Sequence, residues 1–537
     1  MTVSRSRSSS VTGVSHQLRL VARLDRVRLP LWVLGLGGTI AVSALAVPPL
    51  YDTPEKVAGY ARVVGTSPVS HLMSGRQAGI DSLGGIVANE ISQFAQLGVC
   101  LMVAFLVVRH TRAEEESGRA ELLRSTVLGR HAATVAGLAY GVLAAVLIAA
   151  VTTVSMLSVG LPVAGSLTYG AGLALLGVVH TAVTLVAVQL SSTARGALGL
   201  AGAVIALGYV VRGVGAVQDN ALVWASPFGW AQRMDAFGGE QWWPALLLLA
   251  ATALLLAASG WLMTRRDFGG GVLAARPGRP TARRGLATPF GLSARLRRGT
   301  ALGWAVGLTL LGALYGAVVP SIPELVESNP EMADVVGAAA GGEALVDAFL
   351  AYIFLFMAVV SCGFAVSAVL RLRAEEEAGR AELVLGTPVR RSAWLGATAA
   401  FTFLVTAVLT VLMGAGLAVG YALGSGDWEH LTGHVGGQVA YLPGTLVVGA
   451  VAVALHGAVP RAGALAWALL AYVAVQVMLG ELLGLPDWAE AVSPYSHLAE
   501  VPRESWEAWP SLALVVVAAA LTAAGIAGFR RRDIASG

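Results

Sequence analysis

One eleven-residue pattern of carboxylates, guanidiniums and a glycine occurs twice in the sequence. Arg112-Ala113-Glu114-Glu115-Glu116-Ser117-Gly118-Arg119-Ala120-Glu121-Leu122 recurs 261 residues later as Arg373-Ala374-Glu375-Glu376-Glu377-Ala378-Gly379-Arg380-Ala381-Glu382-Leu383. On a helix, Glu115 and Arg119 stand four residues apart, as do Glu376 and Arg380, with the acid first as a stable pair prefers. Gly118 and Gly379 follow the acidic run and suit a bend or a close backbone approach. Leu122 and Leu383 then give an apolar foothold. The chemistry open to this set is ion pairing and recognition of a basic partner. No nucleophile–base set and no metal-ligand spacing accompanies it, so no catalytic residue and no metal site is assigned.

The elements that must position these charges are membrane spans. The chain is 56% hydrophobic and 13% charged over 537 residues, which sets it apart from soluble domains. A spanning helix needs roughly 20 apolar residues. Such runs lie at about 30–50, 86–108, 132–160, 168–190, 196–216 and 244–263, and again at about 300–320, 349–370, 393–423, 437–458, 462–483 and 510–529. The third of each set has length to spare for a kink or a tilted extension. The expected fold is therefore an all-α integral membrane protein of about 12 transmembrane helices, arranged as two parallel six-helix repeats. Its divisions are 1–29, an N-terminal segment whose first 15 residues read as disordered; 30–263, the first half; 264–298, an Arg/Pro-rich tether; 299–529, the second half; and 530–537, a tail. Cys100 and Cys362 both fall inside apolar spans and behave there as small hydrophobes, not a disulfide.

Orientation follows from arginine. Lys56 is the only lysine among 36 basic residues, a bias that suggests a high-GC bacterial genome. Arginines crowd the segments before the first span, after the second, between the halves and at the end of the chain. The positive-inside rule makes that side cytoplasmic, so both termini are expected in the cytoplasm of a multi-pass bacterial plasma-membrane protein. The opposite loop at 321–347 carries Glu324, Glu327, Glu331, Asp334, Glu343 and Asp347 without a single Lys or Arg. In such a protein a basic balance reports topology and implies no nucleic acid. Each charged element therefore emerges into the cytoplasm where its second span leaves the bilayer. A lone charge run is ordinarily a solvated turn. Two near-identical copies in otherwise diverged halves imply that something outside the membrane reads both.

Other features are also duplicated. Arg265-Arg266-Asp267 after the sixth span matches Arg531-Arg532-Asp533 after the twelfth, and Ser226-Pro227-Phe228 matches Ser493-Pro494-Tyr495. Trp32 and Trp304 sit near the start of each half. An Arg-Ala-Glu-Glu-Glu-x-Gly-Arg-Ala-Glu-Leu segment after the second span of a fused pair of six-span units resembles the ABC-2-type exporter permeases of the actinobacterial polyketide-antibiotic, tetronasin-resistance-like family. The resemblance covers the whole chain. It implies a permease that exports an antibiotic or other small amphipathic substrate, with the loop after the second span docking on an ATPase. By resemblance that role falls on Glu114, Glu115, Glu116, Gly118, Arg119 and Glu121, and on Glu375, Glu376, Glu377, Gly379, Arg380 and Glu382. The Ser-Pro-aromatic segments are similar to re-entrant extracellular elements of such exporters.

A phosphate-binding loop needs a lysine after its glycines, and Lys56 lies in Pro54-Glu55-Lys56-Val57. This chain is thus expected to hold no cofactor and to be no enzyme; ATP and magnesium belong to a separate ABC ATPase subunit, expected as two copies. In the second span Asn89, Glu90, Gln93 and Gln96 give a polar stretch, whereas the matching stretch of the second half carries aromatics including Tyr352 and Phe356. These are candidates for a substrate path with one polar and one aromatic wall; interhelical hydrogen bonding is the plain alternative. His180 and His456, also in or near spans, read as packing residues. A proton-driven secondary multidrug transporter shares the twelve-span plan, but offers only Glu90 and Glu481 near span ends for proton coupling. A membrane-embedded transferase would need a catalytic cluster, and none is visible.

Overall fold

The computed structural model describes residues 12–124, 129, 131–273, 280–282, 284–322, 343–483 and 486–532. Among these residues every regular element is a helix, and twelve helices are long and apolar enough to cross a membrane. The protein is an all-α, multi-pass integral membrane protein. It divides into two compact units, Met1–Gly278 and Arg279–Gly537.

In the first unit the spans are Arg28–Leu50, Leu83–Glu116, Ala132–Ser158, Val163–Leu190, Ala194–Gln218 and Pro244–Arg265. Their starts carry ordinary capping chemistry. The side chains of Ser82 and Thr193 accept hydrogen bonds from the amides of Gly85 and Gly196, and Pro244 takes the first helical position, where no amide is needed. The second and fourth spans are the most buried. Val87, Ile91, Val99 and Met102 of one meet Leu176 and Val179 of the other in a shared core. A separate helix, Val14–Leu24, precedes the first span and buries Gln17 and Val21. The disordered segment expected at 1–15 is thus corrected at its end: residues 14 and 15 are helical, because Val14, Leu18 and Val21 recur at helical spacing on one face. Residues 1–11 lie outside the described residues.

In the second unit the spans are Pro289–Val318, Leu345–Glu377, Arg391–Ser425, Leu431–Ala458, Pro460–Val477 and Ala508–Arg531. The tether expected over 264–298 is shorter than the sequence suggested. Thr288 caps a helix that starts at Pro289, so residues 289–298 are its first turns, with Ser293 and Arg297 buried. The first and third spans pack backbone against backbone. A Cβ at Gly416 would come within 2.2 Å of the Thr309 carbonyl oxygen, and one at Gly420 within 2.0 Å of that of Ala313. Small residues four apart allow this approach where apolar burial gives no driving force between helices. Arg391–Ser425 is one uninterrupted helix of 35 residues, about 52 Å long against a hydrocarbon core of about 30 Å. Of the acidic loop at 321–347, residues 323–342 lie outside the described residues, as does the tail from 533 to 537; Glu343 opens the helix of the second span.

Candidate functional site

In both units the charged element is an elbow. In the first, the second span breaks at Thr111 and resumes as Arg112–Glu116; Gly118 turns the chain at φ 75°, and a short helix follows over Arg119–Arg124. In the second, the helix runs unbroken to Glu377, Gly379 turns at φ 67°, and Arg380–Leu385 follows. Among the described residues, nothing lies within 4 Å of a Cβ built on either glycine. The glycines therefore serve the bend, a left-handed conformation costly for other residues, and not a close approach.

The bend re-pairs the charges. The expected pairs Glu115–Arg119 and Glu376–Arg380 do not form, because a spacing of four is adjacent only on an unbroken helix. Arg119 instead reaches back across Gly118 to Glu114, with Nε 2.9 Å from Oε2 and Nη2 3.2 Å from Oε1. Arg380 does the same across Gly379, its Nε 2.5 Å from Oε2 of Glu375. That hydrogen bond and the adjacent charge raise the Arg380 pKa further above its ordinary value.

The middle carboxylate points inward in both copies. Glu115 accepts from Arg266 at the end of the sixth span, with Nη1–Oε2 2.9 Å and Nη2–Oε1 2.8 Å, and from Nη1 of Arg112 at 2.8 Å. Arg266 also donates Nε to Gln189 at 2.6 Å, and the fully buried Arg112 donates to the Val188 carbonyl at the end of the fourth span. In the second unit Glu376 accepts from Nη2 of Arg532 at 2.7 and 2.8 Å. His456 Nε2 lies 3.1 Å from Glu376 Oε1, and Arg373 Nη1 donates to the Pro460 carbonyl at 2.8 Å. Two motifs that looked independent in the sequence are thus partners. In each unit the carboxylate of the elbow is latched to an arginine just past the last span, and the ends of the second, fourth and sixth spans meet at one end of the unit. The sequence signal was available: both motifs recur, separated by 151 residues in one half and 156 in the other.

The third carboxylates differ. Glu116 Oε2 accepts the Ala194 amide at 2.7 Å, at the start of the fifth span, where a negative charge suits the helix dipole. Glu377 pairs with Arg373 at 2.8 Å. The expectation that all the carboxylates stand available to a partner is therefore corrected. Glu114, Glu115, Glu375 and Glu376 are engaged within their own unit. The outward surface of each second leg consists of Arg119, Glu121 and Leu122, and of Arg380, Glu382 and Leu383; the two leucines are 73% and 78% exposed.

A further pairing escaped sequence reading altogether. Asp25, fully buried, accepts from His110 Nε2 at 2.6 Å and from Arg109 Nε at 3.1 Å, tying the N-terminal segment to the second span.

At the opposite end of the first unit the polar candidates come together, but with one another. Asn89 donates to the Tyr60 hydroxyl at 2.8 Å, and that hydroxyl donates to Glu90. Gln77 reaches Ser92 at 3.2 Å, and Ser92 contacts the Tyr169 hydroxyl at 3.0 Å. Gln232 donates to Ser74 at 2.6 Å and approaches Gln96 at 3.4 Å. A cavity of about 20 Å³ remains beside Gln96 and Gln232, room for a single water. Gln93 is half-buried. In the second unit Tyr352 is 43% exposed, and Phe356 packs edge-on against Tyr315 with centroids 5.8 Å apart. The Ser-Pro-aromatic segments are anchored inward. Ser226 donates to the Gly208 carbonyl at 2.6 Å while Phe228 is fully buried, and the Tyr495 hydroxyl lies 2.9 Å from Thr445 and 3.1 Å from Cys362 Sγ.

Residues 286–530 match the family model of the C-terminal domain of the multidrug efflux system permease Rv1217c. Across its whole length the chain is similar to the multidrug efflux system permease protein Rv1217c of Mycobacterium tuberculosis. The two are 38% identical over 530 residues, covering 98% of this chain and 96% of that protein.

Proposed function

The chain belongs to the family of the efflux permease Rv1217c, a family of transporter subunits and not of enzymes, and from that premise we propose that it is the membrane permease of an ATP-driven exporter. In this reading its relatives are the ABC-2-type, tetronasin-resistance-like permeases, and its cargo is a small amphipathic molecule such as an antibiotic. Hydrolysis belongs to a separate ABC ATPase with magnesium and ATP, present as two copies, one for each elbow. The arginine-rich end of each unit faces the cytoplasm.

The observation that carries the reading is the duplicated, latched elbow. A coupling element must be rigid, must present an outward surface and must be fastened to the helices it moves. The Glu114–Arg119 and Glu375–Arg380 staples supply rigidity. Arg119, Glu121 and Leu122, with their second-half counterparts, supply the surface. The Glu115–Arg266 and Glu376–Arg532 latches carry a push on the elbow to the last span of the same unit. A proton-driven carrier gives no reason to keep such a device twice. The test is co-purification of the tagged chain from its own host with an ATPase subunit. Stable isolation without one, together with uptake or efflux driven by a proton gradient alone, would overturn the proposal.

A further inference from the structure

The two units carry opposite charges at one corresponding position. Leu20-Val21-Ala22-Arg23-Leu24-Asp25-Arg26 aligns with Leu292-Ser293-Ala294-Arg295-Leu296-Arg297-Arg298, in the same register that aligns Trp32 with Trp304. Asp25 therefore corresponds to Arg297. The register of the charged elements likewise aligns His110 with Arg371, and Arg109 with Leu370. In the first unit the buried Asp25 carboxylate takes His110 Nε2 at 2.6 Å and Arg109 Nε at 3.1 Å, so the chain supplies its own anion. In the second unit the corresponding neighbours are both guanidiniums.

Arg297 is 5% exposed. Among the described residues it makes no hydrogen bond or ion pair, and its Nε is buried without an acceptor. The charges that act on it are Arg371 and Glu375. Glu375 is already engaged, with Arg380 Nε 2.5 Å from Oε2 and Arg371 Nε 3.8 Å from Oε1. Arg373 and Glu377 satisfy each other and add nothing. Three guanidiniums thus share one carboxylate, and a buried charge left without a partner is costly. Arg371 and Glu375 are 32% and 20% exposed, so the cluster opens to the surface.

We propose that Arg297 and Arg371 bind a phosphate group, carried by the headgroup of an anionic phospholipid, in the place that the Asp25 carboxylate fills in the first unit. The planar N–H pairs of guanidinium match phosphate oxygens, and basic recesses between spans at the cytoplasmic side suit anionic headgroups. A lipid is favoured over a soluble anion by position. The two arginines belong to the first and second spans of the unit, at the end that carries the elbow, and Leu302, Val306 and Leu310 on the same helix as Arg297 are exposed along an apolar face. The proposal goes beyond the exporter reading. A bound phosphate would leave Glu375 to Arg380 and so firm the staple of the second elbow, making that elbow the one that senses lipid.

The test uses the purified full-length chain in dodecyl maltoside, titrated separately with dioleoyl-phosphatidylglycerol, dioleoyl-phosphatidylcholine and inorganic phosphate. Native mass spectrometry counts bound lipid, and a melting curve reads stability. Wild type should hold one phosphatidylglycerol about tenfold or more tighter than phosphatidylcholine, and should melt higher with it. Arg297→Asp restores the pattern of the first unit; it should melt higher than wild type without lipid and lose both the tight site and the lipid-dependent rise. Arg371→Gln, at a partly exposed position, guards against misfolding of that variant; it should lose the tight site without the lipid-free gain. Wild-type affinity and wild-type response to phosphatidylglycerol in the folded variants would overturn the proposal. So would a wild type indifferent to phosphatidylglycerol but destabilised by Asp533→Asn, which would make that carboxylate, outside the described residues, the missing anion. Inorganic phosphate that matches phosphatidylglycerol in wild type and fails in the variants would overturn the lipid as the source and assign the same chemistry to a soluble anion. No ATPase takes part, so a failure here leaves the exporter reading standing.

Discussion

Replacing Glu115 with glutamine should loosen the first elbow far more than an ordinary surface change. The carboxylate receives three charge-assisted hydrogen bonds of 2.8–2.9 Å from two arginines. The side chains are 12% exposed for Glu115, 5% for Arg266 and 0% for Arg112, so solvent screens the cluster weakly. Removing the negative charge leaves two mostly buried guanidiniums without the carboxylate they share. Breaking a buried pair in this way costs about 3–5 kcal/mol, which corresponds to a shift of roughly 100-fold or more in the equilibrium between latched and open elbow. The second unit should respond less to Glu376→Gln, because Arg532 is 15% exposed and, among the described residues, no second arginine pairs with that carboxylate. Amide hydrogen exchange reads this local opening directly, on peptides covering 112–117 and 264–270. A double-mutant cycle with Arg266→Gln isolates the pair, with an expected coupling above about 1.5 kcal/mol. Exchange in Glu115→Gln within a factor of about three of wild type, or a coupling below about 0.5 kcal/mol, would refute the latch.

The glycine bends give a second expectation. Gly118→Val and Gly379→Val force a β-branched residue to φ 75° and 67°, at about 1–2 kcal/mol each, and should reduce transport while leaving membrane insertion intact; Asn at the same positions, which tolerates this conformation, should retain more activity. The topology is tested by thiol labelling on a background lacking Cys100 and Cys362. Ser425→Cys should react with a membrane-impermeant reagent in intact cells, and Ala282→Cys only after permeabilisation; the reverse pattern would invert the orientation. In the second unit, Gly416→Leu should prevent the close packing of the first and third spans, because the added Cβ alone would lie 2.2 Å from a backbone oxygen. Loss of a cooperative melt or of expression is expected, and a normal melting temperature would show that the helices can part at little cost.

The spans were legible because membranes impose a strong rule: backbone polar groups must be satisfied within the helix, and some 20 apolar residues are needed to cross. The duplicated charges were legible for a related reason, since they interrupt an otherwise apolar text. The pairing of those charges was not. Sequence spacing assumes a continuous helix, and a single left-handed glycine moved Arg119 from Glu115 to Glu114 and freed Glu115 for a residue 151 positions away. The helix Val14–Leu24 was missed because arginines mask its short apolar face, and Asp25 because a lone acid among arginines reads as a solvated charge; its burial depends on His110 and Arg109 from another element. The polar face of the second span was seen correctly as polar. Its hydrogen-bond partners, Tyr60, Gln77 and Gln232, come from segments whose folding back no local pattern announces.

The central claim is that the outward legs of the two elbows are what the ATPase reads. Glu121 and Glu382 are exposed and take no part in the latches, so the chain carrying both Glu121→Lys and Glu382→Lys should insert and melt like wild type. The direct measurement is the amount of ATPase subunit retained by that chain on purification from the native host, normalised to permease. Charge reversal at an interfacial pair is expected to cost well over 1.4 kcal/mol per site, which is more than tenfold in affinity, so retention should fall to background. Wild-type retention by the doubly reversed chain, at equal expression, would contradict the account.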